Sequence, residues 1–225
     1  MIPKIIWQTH EWDYQDLPEV FKKTSHTWKN LNPEWEYRYF NAKDRKDFIE
    51  EYYPILLETY LEPIFLEPIK VRQADIWRYC VVHKYGGVYA DMDSVCIKPL
   101  DYMLESYSNE DLLVLKRNMD LDNKDVHNCN FAGIKNSQTL NNIIDDLYQT
   151  TKLNKFYPTG LDSTFLDTWI AFSKYAQNIT NGLFFDASHP SLDCKEDFKD
   201  FTIDYYGERM NYSEYINRKG LYYYN

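Results

Sequence analysis

Along this chain the spacing of apolar positions switches between two residues and about 3.6 residues, and each switch marks an element. Residues 2–8 form a nearly continuous apolar run that turns polar at Gln8, the pattern of a buried strand whose carboxyl end opens toward a site. Asp16 is placed to cap a helix carrying Pro18 and Glu19 in its first turn and ending before Asn32-Pro33. Trp35, Tyr37 and Tyr39 alternate with Glu36 and Arg38, which predicts a second strand, and Asn41 is placed to cap the helix after it. Pro54, Pro63 and Pro68 punctuate the helical segments that follow. The spacing then predicts a helix over about 69–85, closed by Gly86-Gly87, where glycine can take the left-handed conformation of a helix end.

Residues 88–91 read as a short strand running straight into Asp91-Met92-Asp93, and 112–115 and 130–134 are strand-like. Leu140, Ile143, Ile144, Leu147 and Tyr148 fall on one face of an amphipathic helix. A loop through Tyr157-Pro158-Thr159-Gly160 leads to a helix capped by Asp162 and carrying Phe165, Leu166, Trp169 and Phe172. Beyond about residue 180 the pattern breaks into short aromatic and polar pieces, which suit a lid or acceptor-side cover rather than a second core. Strands alternating with helices predict an α/β fold with a mainly parallel central sheet flanked by helices. Its ligands would sit at the carboxyl ends of the strands. We read residues 1–225 as one domain, because a chain of 225 residues with 44% hydrophobic residues can bury roughly 70% of the surface its unfolded form exposes.

Charge narrows the partners. With 25 Lys+Arg against 35 Asp+Glu the formal net charge is −10, which argues against a general grip on nucleic acid or an anionic membrane. Cys80, Cys96, Cys129 and Cys194 make neither a C-x-x-C pair nor a zinc spacing, and the N-terminus lacks a signal peptide's apolar stretch. The expectation is a cytoplasmic protein without an integral membrane segment, in which the sequons at Asn178 and Asn211 are chance matches. The 21 Tyr, 12 Phe and 6 Trp supply core packing and rings that stack on sugars or bases.

The chemistry concentrates in two adjoining stretches. Arg72, Asp75 and Arg78 follow one another at three-residue spacing, so on a helix they share a face. For an arbitrary helix that is an exposed salt-bridge ladder. The next element changes this reading: Asp91 and Asp93 lie two apart at a strand end, both carboxylates can point the same way, and the pair then needs a counterion. A divalent cation held by oxygen ligands suits that need, above all when it also bridges a diphosphate. No G-x-x-x-x-G-K loop and no G-x-S-x-G turn is present, which removes kinases with that loop and α/β-hydrolases.

Ala74, Asp75, Arg78 and Tyr79, followed by Tyr85, Gly86, Gly87, Val88, Tyr89, Asp91 and Asp93, resemble the D-x-D sugar-binding region of family 32 glycosyltransferases. That family includes yeast outer-chain mannosyltransferases and bacterial capsular-polysaccharide enzymes, and it is distantly similar to the clostridial toxin glucosyltransferases. Ile2-Pro3-Lys4-Ile5-Ile6-Trp7-Gln8-Thr9 resembles the family's first strand, and the likeness is good over roughly residues 1–100. Asn130 with Phe-Ala-Gly-Ile resembles its Asn-containing strand. Thr159-Gly160 resembles its Thr-Gly-Pro turn, with Leu161 where Pro is usual; the C-terminal His-rich segment with Ser-Trp is not recognisable.

The resemblance implies a GT-A type fold whose first hundred residues bind a nucleotide sugar. It also implies transfer of a hexose from UDP-hexose or GDP-mannose, with retention, to a glycan or other hydroxyl acceptor, as in polysaccharide biosynthesis. Mn²⁺ or Mg²⁺ would be the cofactor, held by Asp91 and Asp93 with Asp93 favoured as direct ligand, and with Asp204, Glu208 or His189 as the third. Asp75 and Arg78 would hold the donor sugar, Arg78 also approaching the diphosphate. Trp7 would stack on the nucleobase, with a role in the strand's core as the competing reading. Gln8, Tyr89, Met92 and Asn130 would complete the donor pocket. His10, His26, His83 and His127 are read as solvated or packed on helices. Two other classes stay open on the sequence: a sugar-binding pseudoenzyme without turnover, and a metal-dependent nucleotidyltransferase or phosphodiesterase.

Overall fold

In a computed structural model of the chain, the residues described are 1–61, 69–96, 98–107, 110–116, 126–152 and 167–176, with short strands at 187–188, 202–203 and 209–210. Five strands make the central sheet: β1 (Ile5–Thr9), β2 (Glu36–Phe40), β3 (Gly87–Ala90), β5 (Leu112–Lys116) and β6 (Val126–Gly133). The two-residue β4 (Val95–Cys96) stands apart from it. The sheet order is β2-β1-β3-β6-β5. β2, β1 and β3 run parallel, and β6 then pairs antiparallel with both β3 and β5. The parallel half is the part expected from strand–helix alternation. The antiparallel half matters for the site, because it brings the first residues of β6 to the same end of the sheet as the carboxyl ends of β1 and β3.

Alternation along each strand divides the core into two layers. Trp7, Tyr89, Phe131, Leu112 and Val114 face one side, packed with Ile76, Trp77, Val81, Leu140, Ile143, Leu147 and Phe172. Those partners come from α4 (Ile69–Tyr85), α6 (Gln138–Lys152) and α7 (Asp167–Ala176). Ile6, Val88, Ala90, Leu113 and Ala132 face the other side, against Trp28 of α1 (Glu19–Leu31) and Leu100 and Met103 of α5 (Leu100–Leu104). α2 (Ala42–Tyr52) and the short α3 (Leu57–Leu61) adjoin α4. The result is a sheet between two helical layers.

Helix ends follow local chemistry with one exception. Asn41 caps α2 in a reciprocal capping box with Asp44. Asp16, expected to cap α1, instead lies in a 3₁₀ turn (Tyr14–Asp16), and α1 starts one residue after Pro18, which offers no side-chain cap. Pro18 fixes the entry angle and Phe21 N–H bonds back to Pro18 O at 3.0 Å, so the turn replaces the cap. α4 ends at Tyr85 as expected: Gly86 N–H donates to Val82 O at 2.7 Å, with φ of +72° at Gly86 and +108° at Gly87. A Cβ on Gly87 would stand 2.6 Å from Ile5 O, so the residue is also needed for β1 and β3 to approach. The Asp162 cap, Phe165 and Leu166 of the predicted later helix, and the Tyr157–Leu161 turn lie outside the described residues.

Candidate active site

The D-x-D turn leaves β3 at the carboxyl end of the parallel strands. Asp91 and Asp93 are partly exposed, while Met92 between them is 4% exposed and packs with Leu17, Phe21 and Val95. That in–out alternation puts both carboxylates on the outer side of the turn. The Met92 side chain is an apolar anchor here.

The backbone of the turn is held from two sides. Gln8 is fully buried; its Nε2 donates to Asp91 O at 3.0 Å and its Oε1 accepts from Tyr37 Oη at 2.8 Å. Both ends of the amide are therefore engaged inside the protein, and Gln8 braces the D-x-D turn rather than offering itself to a donor. From the opposite layer, α1 contributes Thr24 Oγ1 to Met92 O and Trp28 Nε1 to Ser94 O at 2.9 Å, and Thr27 Oγ1 accepts from Cys96 N–H at 2.9 Å. None of these α1 residues was legible as a site residue, because hydroxyls and an indole on an amphipathic helix carry no mark of which backbone they will meet.

Arg78 joins the helix stripe to the turn. Its Nη2 lies 2.7 Å from Asp75 Oδ1 and 3.2 Å from Asp91 Oδ1, its Nη1 donates to Asn128 O at 2.8 Å, and its guanidinium sits 4.5 Å from the Tyr89 ring centroid. Tyr89 Oη donates to the same Asp91 oxygen at 2.5 Å. The stripe is not an exposed ladder: Arg72, Asp75 and Arg78 are 0%, 3% and 6% exposed, and Arg72 donates to Thr59 O. Asp75 Oδ2 accepts from Thr168 Oγ1 at 2.6 Å. Asn130, paired with Ala90 across the β3–β6 ladder, is buried beside the turn. Among the described residues Arg78 Nε and Asn130 Oδ1 are buried without a hydrogen-bond partner, one a donor and one an acceptor. A buried polar group without a partner calls for an explanation, and beside the D-x-D turn a bound ligand would supply one.

Electrostatics agree with a cation site. Loss of hydration raises the Asp91 carboxyl to about 6; Arg78 opposes the shift, Asp93 adds to it, the Tyr89 hydrogen bond opposes it and Asp75 adds to it. The same burial, with Asp91 and Asp93 nearby, pushes the Cys129 thiol up, which leaves it a poor nucleophile. Asp91 and Asp93 offer only oxygen donors, the set that hard divalent cations take. Among the described residues no group of three or more His, Cys, Asp or Glu stands ready to hold a metal. The expected third ligands Asp204, Glu208 and His189 lie outside the described residues. Ala187–Ser188 pairs antiparallel with β4, which begins two residues past Asp93.

Trp7 takes the core role. It is fully buried, donates Nε1–H to Gly86 O at 2.8 Å, stacks on Tyr85 at 5.7 Å between centroids and meets Phe40 edge-on. With no exposed surface it offers no face to a nucleobase, and the stacking expected of it is corrected on that ground. The competing pattern signal was its inward position in an apolar strand.

Comparison with known proteins fits this geometry. Residues 18–113 match the family described as glycosyltransferase sugar-binding region containing DXD motif. Inositol phosphoceramide mannosyltransferase 3 of Schizosaccharomyces pombe is 35% identical over 103 residues, 46% of this chain and 27% of that protein. Mannosyl phosphorylinositol ceramide synthase SUR1 of Saccharomyces cerevisiae is 36% identical over 104 residues, 46% of this chain and 26% of that protein. The initiation-specific alpha-1,6-mannosyltransferase of Candida albicans is 32% identical over 121 residues, 52% of this chain and 30% of that protein. The matched part thus spans less than a third of each of these relatives. Among solved structures, the PaToxG glycosyltransferase superposes with a TM-score of 0.53 at 18% identity, covering 80% of this chain and 70% of that one. The fold is of GT-A type, and residues 18–113, which carry Asp91-Met92-Asp93, are similar to the glycosyltransferase sugar-binding region containing DXD motif.

Proposed function

We propose that the protein is a metal-dependent, retaining glycosyltransferase that moves a hexose from a nucleotide diphosphate sugar to a glycan or other hydroxyl acceptor. The observation that carries this reading is Arg78. It ties Asp75 on α4 to Asp91 of the D-x-D turn, and its Nε and Asn130 Oδ1 retain hydrogen-bonding capacity beside them. In the proposed reaction Asp75 accepts a hydroxyl of the donor sugar, Arg78 donates to a sugar or diphosphate oxygen, and Asn130 accepts a second hydroxyl. Asp91 and Asp93 would hold Mn²⁺ or Mg²⁺, which when bound would neutralise charge on the leaving diphosphate, an effect worth several kcal/mol. The mannosyltransferase names of the relatives make GDP-mannose the first donor to test, ahead of UDP-hexoses.

The test is release and transfer of sugar by the purified protein with Mn²⁺, repeated in excess EDTA and with Asp93→Asn and Asp91→Asn. Each variant should lose at least about 10²-fold, the scale of losing one charge-stabilising group. Full activity in EDTA would overturn metal dependence. Among the described residues every acidic residue placed in the site already has a proposed metal or sugar role, which favours retention over inversion with a dedicated base. Proton NMR of the early product should show the donor's anomeric configuration retained, and an inverted product would refute this part of the reading.

A further inference from the structure

The Asp75–Arg78 pair does not stand alone on α4. Arg78 Nη1 donates to Asn128 O at 2.8 Å on β6, and Asn128 Nδ2 donates to Tyr79 Oη at 2.6 Å. Tyr79 Oη donates to Thr168 O at 3.1 Å on α7, and Thr168 Oγ1 donates to Asp75 Oδ2 at 2.6 Å. Asp75 Oδ1 and Arg78 Nη2, 2.7 Å apart, close the circuit. Five residues on a helix, a strand and a second helix thus form one ring of hydrogen bonds. Thr168 occupies two places in it, through its hydroxyl and its carbonyl.

The ring has an unequal weak point. Asp75 and Arg78 are neighbours on one helix, Tyr79 stacks on Phe172 at 5.4 Å, and Asn128 is held through both its carbonyl and its side-chain amide. Thr168 is the part of the ring that α7 supplies, 93 residues along the chain from Asp75, and it is fully buried. A carboxylate on a helix can swing about χ1 and χ2. One bond from Arg78 fixes a single oxygen, whereas a second bond to the other oxygen fixes the plane of the group. The orientation of Asp75 decides which lone pairs remain for a sugar hydroxyl.

We propose that Thr168 is a positioning residue that sets the carboxylate plane of Asp75 for the donor sugar, so that α7 as well as the D-x-D half determines how the donor is held. This rests on the proposed function above. Thr168 itself touches no donor; it acts through Asp75. A hydroxyl in this role should be replaceable by another hydroxyl but not by a methyl group of the same size.

The experiment compares wild type, Thr168→Val, Thr168→Ser, Asp75→Asn and the double variant Thr168→Val/Asp75→Asn, using sugar release from the donor with Mn²⁺ and thermal melting. Thr168→Val should lower kcat/KM at least tenfold per folded molecule, within the about hundredfold that a misplacement of 1 Å costs. Thr168→Ser should stay within about threefold of wild type. In the Asp75→Asn background the Val change should add no further loss in kcat/KM, because the oriented carboxylate is already gone. Equal kcat/KM for wild type and Thr168→Val while wild type turns over would overturn the positioning role alone. So would a loss equally large in the Asp75→Asn background, or a loss explained by the unfolded fraction in the melts. A wild type that neither binds nor turns over any nucleotide sugar would sink both this role and the proposed function.

Discussion

Asp91 carries opposed demands at the scale of a single residue. Its carboxyl titrates near 6 because burial outweighs Arg78, so its folded value stands above its unfolded one. A raised value contributes stability that is fully present below the ordinary carboxylate range and lost as pH rises through about 6. Wild type should therefore gain stability over Asp91→Asn as pH falls from 7 to 4. Melting curves of both proteins across that range would show the gap. Affinity for Mn²⁺ should fall over the same interval, because proton and cation compete for one carboxylate. Asp75 and Arg78 behave differently from the exposed pair their spacing suggested. Truncating one partner leaves a buried charge, so Asp75→Ala or Arg78→Ala should cost about 3–5 kcal/mol in urea unfolding as well as activity, where an exposed pair would cost about 1 kcal/mol or less. Trp7→Ala should likewise destabilise by about 3–5 kcal/mol, as loss of a large buried aromatic does. Nearly unchanged melting would return the residue to the surface of the site.

Elements place these residues by their ends. β3 ends where the D-x-D turn starts, and β6 enters antiparallel there, which is why Asn128 and Asn130 from the strand's start meet Arg78 and Ala90. α1 reaches the turn with Thr24, Thr27 and Trp28, so a helix with no charged residue in the site holds the site's backbone. Thr24→Val should cost about 1 kcal/mol of stability, the worth of one neutral hydrogen bond, and Trp28→Phe more, because the smaller ring also leaves a cavity in the core. Calorimetric titration with Mn²⁺ and a nucleoside diphosphate should show weaker cation binding in both, and unchanged binding would mean the turn is stiff without α1. Gly87 serves the sheet: Gly87→Ala would meet Ile5 O and the Trp7 indole at a positive φ, and should cost at least about 2 kcal/mol in chemical denaturation.

For the whole molecule, the site is assembled from residues 8 to 168, so a ligand that bridges its parts should stabilise the entire fold. At a free concentration about a hundred times its Kd, nucleoside diphosphate with Mn²⁺ should add about 2.7 kcal/mol, or roughly 5–10 °C in Tm for a chain of this size. EDTA should remove that gain. No helix among the described residues is long and apolar enough to cross a membrane. Local signals determined much on their own. The capping box at Asn41, the Gly86-Gly87 stop, the alternation that sends Trp7 and Tyr89 to one layer and the D-x-D at a strand end are all set by interactions within a few residues, which sequence spacing records. Tertiary structure decided the rest. That Gln8 braces the turn, that Trp7 is covered, that the helix stripe is buried and that Thr168 reaches Asp75 depend on which strands pair and which helix lies over which face. Those pairings are fixed by burial summed over the whole core, and no short stretch of sequence contains that sum.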